Sequence, residues 1–145
     1  MPTAMEILSH KGNNVFTITP EATVLEAIEK MNAHRVGALV VMESDRVAGI
    51  FSERDVLQRV VGQGVMPAAL KIAEVMTPDV VCSGLDTTLE EMSEIMRVRR
   101  IRHIPICDED GALMGMISIG DINAHHSMHQ QMQINYLSEY IYGRV

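Results

Sequence analysis

Residues Gly49–Asp55 read GIFSERD, and residues Gly115–Asp121 read GMISIGD. Each heptapeptide has a glycine, two apolar residues, a serine, two variable residues and an aspartate, and the two copies lie 66 residues apart. A match that recurs together with its neighbours indicates an internal duplication, which sets the architecture before any local propensity is weighed. The sequence therefore predicts two copies of one structural unit.

The duplication extends upstream of both heptapeptides. Thr23–Glu26 and Thr88–Glu91 are both Thr-x-x-Glu, and they lie 65 residues apart. This is the capping box, in which the threonine and glutamate side chains bind free backbone N–H groups at a helix start. An amphipathic helix is predicted after each threonine, because apolar residues follow at helical spacing. Three further pairs keep the same offset: Met31 with Met96, Arg35 with Arg100 and Asp45 with Asp110.

Each unit is predicted to have the order β-α-β-β-α. An extended segment leads into the capped helix, two strands joined by a tight turn follow, and a second helix begins at the serine of the heptapeptide, Ser52 or Ser118. The predicted strands are Val15–Ile18, Gly37–Met42 and Val47–Phe51 in the first unit, and Val80–Cys82, Ile104–Cys107 and Ala112–Ile117 in the second.

These units predict an α+β fold with α/β-like repeats. Residues 1–68 would form the first repeat with an N-terminal segment, residues 69–127 the linker and second repeat, and residues 128–145 a C-terminal helix. A half of roughly 60 residues is close to the lower size limit for a self-sufficient core. We therefore expect the two repeats to pack face to face about an approximate twofold axis.

Composition limits the classes of function. The chain has 145 residues, of which 47% are apolar and 3% aromatic, and a net charge of −7. That charge opposes binding to nucleic acid or anionic lipid. No apolar run spans a bilayer and residues 1–12 lack the features of a signal peptide, so we expect a cytoplasmic protein with no membrane segment. Cys82 and Cys107 form no CxxC pair, and we interpret them as small buried thiols.

With both heptapeptides and their order in view, the sequence resembles the cystathionine β-synthase domain family, or CBS domains, in which two tandem repeats form a pseudo-symmetric pair. Arg102–Ile106 is similar to the family's first long strand and Val75–Pro78 to the start of a second repeat; the resemblance covers Val15–Asn123. It implies a non-catalytic regulatory module that takes an adenosine-containing ligand and no other cofactor. AMP, ADP or ATP is foremost, with S-adenosylmethionine or NAD(H) as alternatives.

The resemblance also implies which residues would bind that ligand. In family members the aspartate of the heptapeptide binds the ribose hydroxyls and the serine contacts phosphate. One cleft would use Asp121, Ser118 and Gly120, with His103 and Arg102 as phosphate contacts and Val15, Phe16 and Val36 from the first repeat. The pseudo-symmetric cleft would use Asp55, Ser52, Thr77, Val80, Val81, Ile101 and Ala38. Which cleft is used stays open.

A second interpretation of the heptapeptides needs no ligand. Ser-x-x-Asp at a helix start also satisfies the free N–H groups of that helix. In the repeat context we favour ligand contact, and we favour Asp121 over Asp55. The reason is that Glu53-Arg54 beside Asp55 could supply a competing internal ion pair, whereas Ile119-Gly120 leaves the second heptapeptide open to close backbone approach.

A cationic cluster lies just before His103. Four of the 12 lysines and arginines fall in this short stretch: Arg97, Arg99, Arg100 and Arg102. At the end of a helix such charges also complement the helix dipole, which is an equal alternative for the first three. Phosphate recognition is favoured for Arg102 and His103, since a guanidinium fork suits phosphate geometry.

The C-terminal segment raises a metal hypothesis and an oligomer hypothesis. His125 and His129 share a helical face and His126 lies beside them, but no carboxylate or cysteine joins them at ligand spacing, so a metal site is disfavoured. The predicted helix from Met128 onward either packs on its own domain or forms a homodimer contact. Its apolar residues are Met132, Ile134, Tyr136, Leu137, Tyr140 and Ile141.

Three functions are weighed on this basis. The leading one is a sensor of adenine nucleotides that modulates an unidentified partner protein. The second is an interaction or scaffold module whose clefts are vestigial. The third is an enzyme using Asp121 and His103 as acid and base, which is disfavoured because the sequence has no Ser-His-Asp order, no GxxxxGK loop and no metal cluster.

Overall fold

The computed structural model describes residues 2–12 and 14–142, apart from the side chains of residues 128, 129 and 139–142. The elements follow the predicted mixture of helices and strands, with additional short helices before each repeat. In chain order they are α1 Ala4–Lys11, β1 Thr17–Ile18, α2 Val24–His34, β2 Ala38–Glu43, β3 Arg46–Ser52, α3 Glu53–Asp55, α4 Ile72–Val75, β4 Thr77–Pro78, α5 Leu89–Arg99, β5 His103–Cys107, β6 Leu113–Ser118 and α6 Ile119–Tyr142.

The first repeat is built on a four-stranded sheet in the order β1-β2-β3-β4. Strand β1 runs parallel to β2, β2 pairs antiparallel with β3, and β3 pairs antiparallel with β4. Ser44 and Asp45 join β2 to β3 with φ angles of 50° and 63°, the left-handed geometry of a two-residue hairpin turn. The core on this sheet is closed by fully buried side chains that include Leu39, Phe51 and Ile72.

The second repeat has a shorter sheet, formed by β5 and β6. The strand predicted at Val80–Cys82 is wrong: the leading segment makes one parallel bridge, between Ser83 and Ile106. Pro105 explains why no strand forms at Val80–Cys82. In the first repeat the N–H of Val40 donates to the carbonyl of Phe16, and Pro105, which lies 65 residues after Val40, has no N–H with which to make the corresponding bond.

The two capped helices begin where the sequence predicts. Thr23 Oγ1 accepts a hydrogen bond from the N–H of Glu26 at 3.1 Å, and Thr88 Oγ1 accepts one from the N–H of Glu91 at 3.2 Å. Helices α2 and α5 then bury one face each, so the capping boxes and the helical spacing are both confirmed.

Each core is closed by the short helix that precedes the other repeat. Helix α1, placed with residues 1–68 in the sequence analysis, buries Ala4, Ile7 and Leu8 in the core of the second repeat. Helix α4, which precedes the second repeat, buries Ile72 and Val75 in the core of the first. Bridges between Thr3 and Thr88 and between Thr23 and Lys71 tie the chain on either side of this exchange.

The helices that follow the heptapeptides differ in length. Helix α3 has 3 residues and passes into a π-helical turn at Val56–Val60 and a 3₁₀ turn at Val61–Gln63. Helix α6 runs for 24 residues to Tyr142, so up to that residue the separate helix predicted at 128–145 is instead a continuation of the second repeat's helix; residues 143–145 lie outside the described residues. Glycine explains the difference. Gly62 and Gly64 end the helical stretch that begins with α3, with φ of 69° at Gly64, whereas no glycine lies between Gly120 and residue 142.

Candidate functional site: a cleft between the repeats

A cleft of about 750 Å³ lies where the two repeats meet. Its walls come from the end of the first heptapeptide, the segment after α4, the end of α5 and the start of β5, and the start of α6. The lining includes most of one predicted set, namely Ser52, Asp55, Thr77, Val80, Val81 and Ile101, together with Arg102, His103, Ser118 and Gly120 from the other. A volume of this size is in the range that small-molecule sites occupy.

Asp55 is the oriented carboxylate of this cleft. It is 6% exposed. Its Oδ2 accepts from the N–H of Ser52 at 2.9 Å and from the Ser52 hydroxyl at 3.3 Å, while Oδ1 accepts from the Thr77 hydroxyl at 3.3 Å. The guanidinium Nε of Arg59 lies 3.7 Å from the same Oδ1. The serine and aspartate thus cap α3, and this cap fixes the direction of the carboxylate at the cleft wall.

The cation paired with Asp55 is not the one expected. Glu53 and Arg54 line the cleft, but the ion pair of Asp55 is with Arg59, one helical turn further on. Arg59 also donates to the carbonyls of Val75 and Met76 at 3.1 and 2.9 Å. It therefore connects the carboxylate to the end of α4, across the cleft wall.

Positive charge predominates among the lining side chains. Five arginines line the cleft, Arg54, Arg59, Arg99, Arg100 and Arg102, against the acidic Glu53, Asp55 and Asp79. The chain as a whole carries −7, so this is a local reversal of sign that attracts anions. Three of these arginines, Arg99, Arg100 and Arg102, lie at the end of α5 or just beyond it. Arg100 caps that helix with a φ of 55° and turns the chain toward β5.

The four arginines that precede His103 have two different surroundings. Arg99, Arg100 and Arg102 line the cleft. Arg97 does not, because its guanidinium pairs with Glu94 on the exposed surface of α5. The Glu94 partner raises the pKa of Arg97, and Arg97 in turn lowers the pKa of Glu94. Arg97 is thus a surface ion-pair residue.

His103 stands at the cleft wall with a neutral imidazole at neutral pH. Burial lowers the pKa of His103 below its ordinary value, and the positive charges of Lys11 and Arg102 lower it further against the opposing effect of Asp121 and Glu53. A neutral imidazole carries one N–H donor and one acceptor. An anion beside it would favour the protonated ring with two donors.

Asp121 occupies the corresponding position in the second repeat but has different surroundings. Its Oδ2 accepts from the N–H of Ser118 at 2.8 Å and from Lys11 Nζ at 2.7 Å. Burial raises the pKa of Asp121, but the hydrogen bonds from Lys11 and Ser118 outweigh that effect and leave its pKa below the ordinary value. The expected contrast between the two aspartates is therefore not found, because Asp121 also has an internal ion pair, with a lysine 110 residues away in the chain; its contact with a ligand stays a prediction.

Both copies of the duplicated unit match one known protein family. The sequence model of the CBS domain matches residues 4–62 and again residues 72–125. The chain belongs to the CBS domain family. It is a tandem CBS pair, and proteins composed only of CBS domains are generally regulatory and not catalytic.

Similar proteins include other CBS proteins from plants and bacteria. The CBS domain-containing protein CBSX3, mitochondrial, of Arabidopsis thaliana is 31% identical over 150 residues, which cover 97% of this chain and 72% of that protein. The CBS-domain containing protein ATU1752 of Agrobacterium tumefaciens has a solved structure that is 37% identical, with a TM-score of 0.80, 86% of this chain and 98% of that chain covered. The hexameric CBS-CP12 protein of bloom-forming cyanobacteria is 29% identical, with a TM-score of 0.75 and coverage of 83% and 65%.

Besides Asp121, four predicted residues lie away from the cleft of this CBS pair. The ring of Phe16 stacks on His34, with centroids 4.0 Å apart and planes 18° apart. Ala38 is buried in β2, where it pairs with Ser52. Val36 packs against the first repeat's core and Val15 is half-buried, and neither lines the cleft.

Sequence reasoning missed the two cations that pair with the aspartates of the heptapeptides. Arg59 follows Asp55 by four residues, and this helical spacing of opposite charges is a signal that could have identified it. Lys11 gives no such signal, because its partner Asp121 is reached only through the packing of α1 on the second repeat.

The remaining predictions concern metal, membrane and cysteine. Among the described residues no three His, Cys, Asp or Glu side chains could hold one metal ion; the rings of His10 and His125 are 6.3 Å apart, and the side chain of His129 lies outside the described residues. No helix within 2–12 and 14–142 combines the length and apolar character needed to cross a membrane. Cys107 is buried as expected, but Cys82 is exposed, which corrects that part of the thiol prediction.

Proposed function

We propose that the protein is a non-catalytic sensor that binds an adenine nucleotide, AMP, ADP or ATP, in the cleft around Asp55. The observation that carries the proposal is a buried, capped carboxylate beside a cleft of about 750 Å³ that is lined by five arginines. A carboxylate can accept from both hydroxyls of a ribose, and arginines match phosphate oxygens with paired N–H donors.

The apolar part of the wall supports an adenosine ligand. The cleft has an apolar wall of three half-buried side chains. Val80 and Val81 follow β4, and Ile101 precedes β5. A purine ring buried against aliphatic side chains gains the transfer free energy of its apolar faces. The cleft thus combines an apolar wall, a carboxylate and a cationic rim, which are complementary to the purine, the ribose hydroxyls and the phosphates of an adenine nucleotide.

Calorimetric titration tests this proposal with AMP, ADP and ATP, each on the wild type and on Asp55→Asn. The asparagine keeps the size of the side chain but removes the charged acceptor, so we expect the affinity to fall about 10- to 100-fold, as for the loss of a charged hydrogen bond. Asp110→Asn, in the exposed turn between β5 and β6, is the matched control and should leave the affinity unchanged.

Two results would contradict the proposed function. Equal affinities for the wild type and Asp55→Asn would remove Asp55 from the site. Titrations of S-adenosylmethionine and NADH complete the panel, and binding of either in preference to all three nucleotides would change the ligand class. No heat with any of the five would leave a ligand-independent interaction module.

We further infer that the sensor forms a homodimer through α6, as the means by which ligand binding reaches a partner. Met132, Ile134, Tyr136 and Leu137 are each more than half exposed on this helix. Exposed apolar side chains at this density on one helix are typical of a protein–protein contact. The existence of a hexameric CBS-CP12 protein of similar structure supports self-association in this family.

Light scattering after gel filtration tests the dimer. The double variant Ile134→Asp with Leu137→Asp should convert the dimer to a monomer, because two carboxylates would have to be buried in the contact. The control, Asn123→Asp with Ser127→Asp, adds the same charge at exposed positions of the same helix. A monomeric wild type, or a dimer in both variants, would exclude this surface.

A further inference from the structure

Resting on the proposed function, we propose that Lys11 restricts nucleotide binding to the Asp55 cleft, so that a chain with two ribose-binding carboxylates takes up one ligand. Asp55 and Asp121 end equivalent heptapeptides, and each accepts a backbone hydrogen bond from its serine. They differ in the further partners: Asp55 accepts from a neutral hydroxyl and has the Arg59 guanidinium at 3.7 Å, beyond hydrogen-bond distance, whereas Asp121 accepts directly from an ammonium.

The Thr77 and Lys11 donors are unequal in strength. The Thr77 hydroxyl donates to Asp55 over 3.3 Å, whereas Lys11 Nζ donates to Asp121 over 2.7 Å. The first is a long hydrogen bond that a ribose hydroxyl can replace at little cost. In the second both partners are charged and the distance is short, so it is an ion pair as well as a hydrogen bond, and a neutral ribose hydroxyl does not replace the charge of the ammonium.

The backbone of the second repeat also holds the ammonium in place. Lys11 Nζ donates to the carbonyl of Met116 at 2.6 Å in addition to Asp121. The lysine and aspartate side chains are 32% and 24% exposed, so the pair is partly shielded from water. Lys11 thus closes a bridge between α1 and both ends of the second heptapeptide.

Helix α1 makes this contact a built feature of the fold. Ala4, Ile7 and Leu8 are buried in the second core, and Lys11 is the last residue of the same helix. Leu8 lies directly over Gly115, the first residue of the second heptapeptide, where a Cβ would come within 2.7 Å of Leu8 Cδ2. Placing Lys11 at Asp121 therefore costs no additional ordering of the chain, since the helix that carries it is already docked.

The cleft lining agrees with this assignment. Asp55 lines the cleft of about 750 Å³, and Asp121 does not, although Ser118 and Gly120 of the same heptapeptide do. The second carboxylate faces α1 instead. One aspartate thus faces the cleft, and the other is hydrogen-bonded to a lysine of α1.

The test is calorimetric stoichiometry with AMP, ADP and ATP as separate probes on the wild type and Lys11→Met. Methionine keeps the aliphatic stem and removes the ammonium. We expect one nucleotide per wild-type chain and two per Lys11→Met chain, with the second event lost in Lys11→Met/Asp121→Asn and retained in Lys11→Met/Asp55→Asn. Lys30→Met is the matched control, since Lys30 donates to the carbonyl of Thr17 in the first repeat, and it should bind one.

The outcomes separate this proposal from the proposed function. One nucleotide in both the wild type and Lys11→Met, lost in Asp55→Asn, would overturn the role of Lys11 and leave the sensor intact. Two nucleotides in the wild type would overturn it as well. Binding by Lys11→Met alone, lost with Asp121→Asn, would support Lys11 and overturn the Asp55 site, and no binding by any variant would overturn both. Lys11→Gln serves as a second variant where Lys11→Met lowers the melting temperature.

Discussion

The two heptapeptides are close in sequence and differ in what the fold brings against them. Ser52 and Ser118 both lead their helices, and both aspartates turn back onto a serine N–H. The side chain that donates to Asp55 is Thr77, which lies in β4 just after α4. The side chain that donates to Asp121 is Lys11, the last residue of α1. A duplicated motif therefore gives two different sites when the segments packed on it are not duplicated in sequence.

The largest effect is expected at the first glycine of each heptapeptide. A Cβ at Gly49 would meet the backbone carbonyl of Thr77 at 2.6 Å, whereas a Cβ at Gly115 would meet the side chain of Leu8 at 2.7 Å. Backbone cannot yield as a flexible side chain can. We expect Gly49→Ala to lower the free energy of unfolding by about 3 kcal/mol and Gly115→Ala by about 1 kcal/mol, within the range for overpacking.

Urea denaturation of the two glycine variants measures that difference directly. Both should keep the slope of the wild type and shift only the midpoint. Equal losses of stability would mean that α1 is as rigid against the second repeat as the linker is against the first. That result would contradict the expected difference between the rigid backbone of Thr77 at Gly49 and the flexible side chain of Leu8 at Gly115.

A smaller effect is expected from the arginines that line the cleft. Arg102→Ala should weaken ATP binding by about tenfold and leave adenosine binding nearly unchanged, because the loss falls on a charged hydrogen bond to phosphate. Arg97→Ala is the matched control from the same helix region, since Arg97 pairs with Glu94 outside the cleft. Calorimetry on both ligands measures the effect, and equal losses for ATP and adenosine with Arg102→Ala would exclude a phosphate contact.

The smallest effect is a pH dependence carried by His103. Burial lowers the pKa of His103, and a bound phosphate would raise it again, so nucleotide binding takes up a proton. We expect AMP affinity to rise a few-fold as the pH falls toward and below 6.5, the ordinary histidine value, and to saturate below the pKa of His103 in the free protein. Titrations across this range on the wild type and His103→Gln measure the effect.

The same lowered pKa has the opposite consequence for the ligand-free protein. The unfolded chain binds a proton at about pH 6.5 where folded His103 does not, so stability is full above that pH and falls as the pH is lowered through it. The loss is complete once the pH is below the folded pKa. His103→Gln should flatten both profiles, and an unchanged pH dependence of AMP binding in this variant would place the proton elsewhere.

Local signals accounted for much of the fold and, at the site, for the caps that Ser52 with Asp55 and Ser118 with Asp121 form. The capping boxes at Thr23 and Thr88 and the turn at Ser44–Asp45 depend on residues close in sequence, and each formed as expected. The missing strand at Val80–Cys82 was also readable, because Pro105 removes the N–H that its pairing requires. What could not be read was Lys11 at Asp121, since no local pattern reports which core α1 will join.

The exchange of α1 and α4 also determines the order in which the two cores can form. The first core draws on residues between Phe16 and Met76, one continuous stretch, so it can assemble while the rest of the chain is still being synthesised. The second core needs Ala4, Ile7 and Leu8 together with residues up to Ile122, which requires closing a loop around the finished first repeat. Helix α1 thus leaves the ribosome before the first repeat but packs into its own core only after that repeat is complete.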